Sequence, residues 1–477
     1  MNQAEETRCG CRMLALACRG LSVFAAILED EAVQGMLSLL LAIGGEPEED
    51  DAWERAFTGG SRETIYELYH GFYRLIADQA WDDHVLDLML LNDSRLAAAE
   101  LTAPGASRRL QEDAARDLQV LQELAGLSGE KIRSFVMTCF EEDDWEDNAL
   151  FENFLAPCHW PVWGVAADRD GDGAVKAGAE AETAPAQIWL SARREELKAL
   201  FRHSRDWRAL VGDLLTYYHA AGYGVFASFA VFRLREDGIL EGVDRPDPVT
   251  VEQLYCQERE QGVVLRNTEI FLRGLAANNI ILYGNRGTGK SSLVKALPNA
   301  YVARKLRLIQ LQKADIRHFT GLVRALASLP YKFILYIDDL SFEDAEQDYK
   351  DMKMLLEGGV EARPLNVLIY ATSNRKNLIR ESFAERRGDD VHLHDSMDEK
   401  LSLADRFGIT VTFLAPDQPT FLSIVERLAE QSDLRLPAAE LRRRALLWTQ
   451  NHNARSGRSA RQFIDDLLGE TALNSAD

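Results

Sequence analysis

The stretch that most restricts what this chain can fold into is Ile280-Ile281-Leu282-Tyr283-Gly284-Asn285-Arg286-Gly287-Thr288-Gly289-Lys290-Ser291-Ser292. It reads as a buried apolar strand, a glycine-rich turn and the start of a helix, whose apolar face continues through Leu293, Val294 and Leu297. Gly284, Gly289, Lys290 and Ser291 satisfy the pattern G-x-x-x-x-G-K-[ST]. Glycines permit backbone angles that a side chain forbids, so successive N–H groups can converge on phosphate oxygens. The helix start beneath adds partial positive charge at the same place. On this reading residues 284–292 form a phosphate-binding loop. Lys290 reaches the β- and γ-phosphates and the Ser291 hydroxyl ligates Mg²⁺. The expected ligand is a nucleoside triphosphate.

At 477 residues the chain is long enough for two or three domains. From about Val249, short continuous apolar runs alternate with helical stretches: Asn279–Tyr283, Leu306–Leu311, Phe333–Ile337, Val367–Ala371 and Thr410–Phe413. Runs of that kind are strands buried on both faces, so the expected core is a parallel five-stranded sheet sandwiched by helices. Its ligand should lie at the carboxyl edge. A C-terminal helical lid over 416–470 follows the nucleotide-binding core at 246–415. Ahead of them the reading places an acidic, mostly helical region at 1–165, a flexible acidic linker at 166–187 and a helical segment at 188–245. The helical stripes Ile65, Leu68, Tyr69, Phe72, Tyr73 and Leu110, Ala114, Leu118, Leu121, Leu124 carry that expectation.

Three further strand and helix ends bear chemistry. The run Phe333–Ile337 ends in Asp338-Asp339, where Asp338 would hold Mg²⁺ and Asp339 would polarise an attacking water. The run Val367–Ala371 continues into Thr372-Ser373-Asn374, and Asn374 would orient that water from the other side. Arg406, in Asp405-Arg406-Phe407, suits the role of an arginine finger. Arg458 and Arg461 open a C-terminal helix where the macrodipole disfavours cations, which points to an anionic partner.

This order resembles the AAA+ ATPase superfamily over about residues 250–470. Within it, Tyr283–Leu297, Phe333–Glu343, Asn366–Arg375, Glu399–Phe407 and Arg455–Leu468 are similar to a bacterial family known as domain of unknown function 815. The resemblance implies ATP and Mg²⁺ as cofactors and the Walker A loop at Gly284–Ser291. It also implies Walker B at Asp338-Asp339, sensor 1 at Asn374, an arginine finger at Arg406 and sensor 2 at Arg461, with Arg458 as the other candidate. Most of the superfamily carries Asp-Glu in Walker B. The shorter Asp339 implies slow turnover, or transfer of the base role to Glu343. The function so implied is an ATPase with sites completed between subunits of a homo-oligomer, a hexameric ring being one form, that remodels or regulates a protein partner. A slow nucleotide switch or scaffold is the first alternative. A DNA-associated, helicase-loader-like ATPase is the second, because helicase loaders also carry Asp-Asp.

Charge separates these classes. Residues 1–250 hold 23 lysines and arginines against 45 aspartates and glutamates, so the entire net charge of −22 lies there. The remainder, with 31 of each, is neutral. An acidic half repels nucleic acid and anionic lipid and suits a protein partner. The longest apolar runs are far short of the ~18 residues that a membrane span needs. The six cysteines form no disulfide framework, so the expected location is the cytoplasm. Cys9, Cys11 and Cys18 read as an unstructured N-terminal tail rather than a metal site. Asp168-x-Asp170-x-Asp172-Gly173 matches half a calcium loop, but Ala179 stands where the bidentate glutamate belongs, so linker is the preferred reading. His392-x-His394-Asp395 reads as solvated loop.

Overall fold

The computed structural model describes residues 2–45, 62–92, 94–102, 105, 108–139, 156–164, 183–340, 364–374, 406–432, 434, 436–452 and 455–474. The half calcium loop, the histidine pair, Glu343 and Asp405 lie outside them. The chain divides into two compact units, Met1–Ala181 with Leu190–Ser228, and Glu182–Trp189 with Phe229–Asp477.

The first unit is helical. Its helices are α1 (Gln3–Arg19), α2 (Glu31–Gly44), α3 (Arg62–Leu75), α4 (Trp81–Leu91), α5 (Arg95–Thr102), α6 (Arg108–Ala125) and α7 (Gly129–Cys139). Beyond these come most of α8 (Pro185–His203), then α9 (Val211–Ala221) and α10 (Val225–Ser228). Both helical stripes face inward: Ile65, Tyr69 and Phe72 on α3, and Ala114, Leu118, Leu121 and Leu124 on α6, are buried. The N-terminal cysteines correct the tail reading. An Asn2–Glu5 capping box starts α1, whose inner face buries Cys11 and Cys18. Among the described residues no group of His, Cys, Asp and Glu could hold a metal. A buried carboxylate does structural work instead. Asp117 accepts the backbone N–H groups of Ser22, Val23 and Phe24 at 2.9, 2.7 and 3.2 Å, satisfying donors just past the end of α1.

The second unit is built on a seven-stranded sheet in the order β2-β1-β4-β5-β6-β3-β7. The five expected strands are present as β3 (Ile280–Gly284), β4 (Leu306–Leu311), β5 (Lys332–Ile337), β6 (Val367–Ser373) and β7 (Ile409–Phe413), all parallel. Two more correct the five-stranded expectation: β1 (Val231–Leu234) runs parallel to β4, and β2 (Leu240–Gly242) pairs antiparallel with β1. Their residues had read as the end of a helical segment because an aromatic-rich run leads into them. Alternation decides otherwise, since Phe232 and Leu234 are buried and Arg233 between them is exposed. Gly238, at φ 83°, makes the hairpin turn that a helix could not.

Helices α11 (Glu258–Leu272), α12 (Lys290–Tyr301) and α13 (Phe319–Ala327) accompany the sheet. The core joins Val264 and Phe271 of α11, Leu293, Val294 and Leu297 of α12, and inward residues of β3 to β7. The expected lid is three helices: α14 (Gln418–Gln431), α15 (Ala438–His452) and α16 (Gly457–Asn474). They share their own core around Phe421, Val425, Leu441, Ala445, Phe463 and Ile464. Among the described residues no helix is long and apolar enough to cross a membrane.

Candidate functional site

Strand β3 ends in Gly284, whose φ of 147° already favours glycine. A Cβ there would stand 2.0 Å from the Phe413 carbonyl oxygen, so the β3–β7 pairing excludes any other residue. The loop continues through Gly287 and Gly289 at φ 77° and 88°, and the Thr288 hydroxyl donates to the Asn285 carbonyl at 2.8 Å. Gly289 is the N-cap of α12 and offers no side chain to that helix. Its first-turn N–H groups therefore lack a side-chain cap, as an anion-binding helix start requires.

The chemistry-bearing side chains form one hydrogen-bonded network. The Lys290 Nζ donates to the Gly284 and Asn285 carbonyls at 2.9 and 2.8 Å and to Asn374 Oδ1 at 3.2 Å. Burial pulls its pKa down, and Asp338 and Asp339 oppose that shift. The Ser291 hydroxyl donates to Asp338 Oδ1 at 2.8 Å, and Asn374 Nδ2 donates to Asp339 Oδ1 at 2.7 Å. Desolvation pushes the Asp338 pKa up, but the hydroxyl donors of Thr372 and Ser291 help to outweigh it, and the group stays below its ordinary 3.8.

These groups line a cleft of about 570 Å³, within the range of small-molecule sites. One wall is the loop from Arg286 to Ser292, with Asp338, Asp339, Thr372 and Asn374 below. Gly457, Arg458, Arg461, Gln462 and Asp465 of the lid form another, and the Arg458 N–H donates to the Gly287 carbonyl at 3.4 Å. Leu254, Tyr255, Ile424 and Leu428 supply apolar lining. Uncapped helix-start amides, one lysine and a Ser–Asp pair form the donor set that a triphosphate and Mg²⁺ need.

The expected site residues of the loop, Asp338, Asp339, Asn374 and Arg461 are thus brought together. Arg406 is not. It precedes β7, whose Ile409 pairs with Ile280 at the start of β3, whereas Phe413 pairs with Gly284 at the loop. Arg406 therefore belongs to the opposite edge of the sheet from its own loop.

Sequence reasoning missed the segment before α11. Leu254 packs on the sheet core, while Tyr255 and Cys256 pack on the lid core. Gln257 Nε2 donates to the Thr288 carbonyl of the phosphate loop. Cys256 turns the chain between these tasks at φ 61°. The guanidinium of Arg427, on α14, lies 5.1 Å from the Tyr255 ring centroid, a cation–π contact. The only local signal was an apolar pair, Leu254-Tyr255, between boundary-like polar residues.

The parallel order around a glycine loop, with acids on the neighbouring strand ends and a helical lid, defines a P-loop protein of the AAA+ class. Residues 227–471 match the family described as "Protein of unknown function (DUF815)", which is more than half the chain, and the protein belongs to that family. Solved structures of the Thermotoga maritima RuvB Holliday junction branch migration motor are similar at 14% identity, covering 46% of this chain and 72% of that one, with a TM-score of 0.29. A single-residue variant of the same protein aligns at 15% identity over the same shares, again at a TM-score of 0.29.

Proposed function

We propose that this protein binds Mg-ATP in the cleft between the phosphate loop and the lid, hydrolyses it, and uses the cycle to remodel or regulate a protein partner. The observation that carries this reading is the single network joining Lys290, Ser291, Asp338, Asp339 and Asn374 at an uncapped helix start. In this scheme the loop amides and Lys290 hold the β- and γ-phosphates. Ser291 and Asp338 would hold Mg²⁺, which would supply positive charge to the phosphates. Asp339 takes a proton from the attacking water, and Asn374 fixes the carboxylate that does so. Arg461, with Arg458 beside it, brings positive charge from the lid.

Arg406 acts on a neighbouring subunit. Its place beyond the far end of β7 from the loop supports a role between copies rather than within one. The acidic N-terminal unit recruits the partner, and its charge argues against nucleic acid. A second reading, a nucleotide switch with slow turnover, is favoured by Asp339 itself, a short carboxylate already tied to Asn374.

The deciding experiment is ATP turnover per subunit across a range of protein concentrations, with Lys290→Ala as the blank. Specific activity that rises with concentration supports sites completed between subunits. Flat, near-zero turnover with intact ATP binding supports the switch. Nucleotide binding that survives unchanged in Lys290→Ala would overturn both.

A further inference from the structure

We infer that Thr372 is the positioning residue that sets both Walker B carboxylates, and that its hydroxyl rather than its bulk does so. This role rests on the Mg-nucleotide reading above.

Thr372 sits near the end of β6 and is only 1% exposed. Its Oγ1 donates to Asp338 Oδ1 at 2.6 Å, and the same oxygen accepts the Asp339 backbone N–H at 3.0 Å. A hydroxyl has one proton and two lone pairs, so both bonds are satisfied at once. The strand's own backbone finishes the clamp, because the Thr372 carbonyl accepts the Leu340 N–H at 2.7 Å. One residue therefore grips three successive positions, 338 to 340.

Two consequences follow for the acids. Asp338 Oδ1 accepts from Ser291, Thr372 and the Asp339 N–H. That oxygen is saturated, so Oδ2 is the face left for a hydrated cation. Asp339 is one of three described non-glycine residues with positive φ, at 51°. Such a backbone persists only where its surroundings over-determine it, and the Thr372 bond to its N–H is one of those restraints. Asn374 holds the side chain from the other side at 2.7 Å. Without the hydroxyl, Asp338 loses its shortest donor and the Asp339 N–H loses one of its two side-chain acceptors.

The test measures affinity for a non-hydrolysable ATP analogue with EDTA and with Mg²⁺, in the native protein and in Thr372→Val, Thr372→Ser and Lys290→Ala. Valine keeps the shape and strand preference of threonine and removes only the hydroxyl. Loss of such an outer partner typically weakens metal binding ~10–100-fold, so Thr372→Val should lose about tenfold or more of the Mg²⁺-dependent gain. Its affinity in EDTA should stay native. Thr372→Ser keeps the hydroxyl and should retain the gain within about threefold. An unchanged gain in Thr372→Val overturns the inference. So does an equal loss in Thr372→Ser, which would assign the effect to the missing methyl group. If the valine variant does not fold, Thr372→Ala, which differs from Thr372→Ser only in the hydroxyl, takes its place, and an unchanged gain there overturns the inference equally. Lys290→Ala separates the two readings, because it should lose affinity in both conditions. If the native protein binds no analogue in either condition, the nucleotide reading and this role fall together.

Discussion

Asp339 explains at the scale of one residue why this chain departs from the commoner Asp-Glu pair. Its backbone lies in the left-handed region at φ 51°. Aspartate and asparagine tolerate that region because their short polar side chains bond locally, whereas longer residues do not. Asp339→Glu should therefore lower stability by about 1 kcal/mol instead of restoring a faster base, a shift that chemical denaturation will read. Asp339→Asn suits the same backbone and should fold as well as the native chain. Its turnover should fall ~100-fold with nucleotide affinity retained, as removal of a general base predicts. Equal turnover in Asp339→Asn would move the base elsewhere.

Two elements carry predictions of their own. The strap from Leu254 to Gln257 ties the sheet core, the lid core and the phosphate loop together, with Arg427 over Tyr255. Removing that guanidinium takes away the contact between α14 and Tyr255, which lines the cleft. Arg427→Ala should weaken nucleotide affinity roughly twofold to fivefold, the range of an exposed cation–π contact. Affinity for tripolyphosphate, which lacks a nucleoside, should not change.

In the helical unit, Lys198 of α8 is 2% exposed and lies 3.1 Å from Asp83 and 2.7 Å from Asp87 of α4. Lys198→Met leaves those carboxylates short of a partner and should cost about 3 kcal/mol. Desolvation raises the Asp83 pKa, but Lys198 and Arg202 prevail and hold it below its ordinary 3.8. In the window between the lowered folded value and 3.8 the unfolded chain binds more protons, so stability is present above that window and lost as pH falls through it. Lys198→Met should flatten this acid-side loss, as unfolding midpoints measured from about pH 5 down to about pH 2 will show.

For the whole molecule the question is whether one chain contains a complete site. The sheet register separates Arg406 from its own loop by the length of β7. Arg406→Ala should then fold, bind nucleotide and hydrolyse slowly at every concentration. Mixed with Lys290→Ala it should recover activity, because a neighbour with an intact loop meets a neighbour with an intact finger. Two inactive proteins that stay inactive when mixed would place Arg406 outside the chemistry.

Sequence alone determined the glycine-rich loop, the five parallel strands and the acids that follow one of them, because each is a local pattern. An apolar run, glycines at fixed offsets and a helix start are all read within a dozen or so neighbouring residues. It also determined the stripes of α3 and α6, since helical periodicity records which face is buried. Tertiary structure decided what depends on contact between distant segments. The Gly284 requirement is set by Phe413, and the strand identity of Val231–Leu234 by a place beside β4. The role of Thr372 depends on two acids more than thirty residues away. The same is true of the strap at Leu254–Gln257, whose residues carry no motif because their partners lie in the sheet, the loop and the lid. Hydrogen bonds and packing between remote residues leave no spacing in the chain to read, and there the fold supplied the answer.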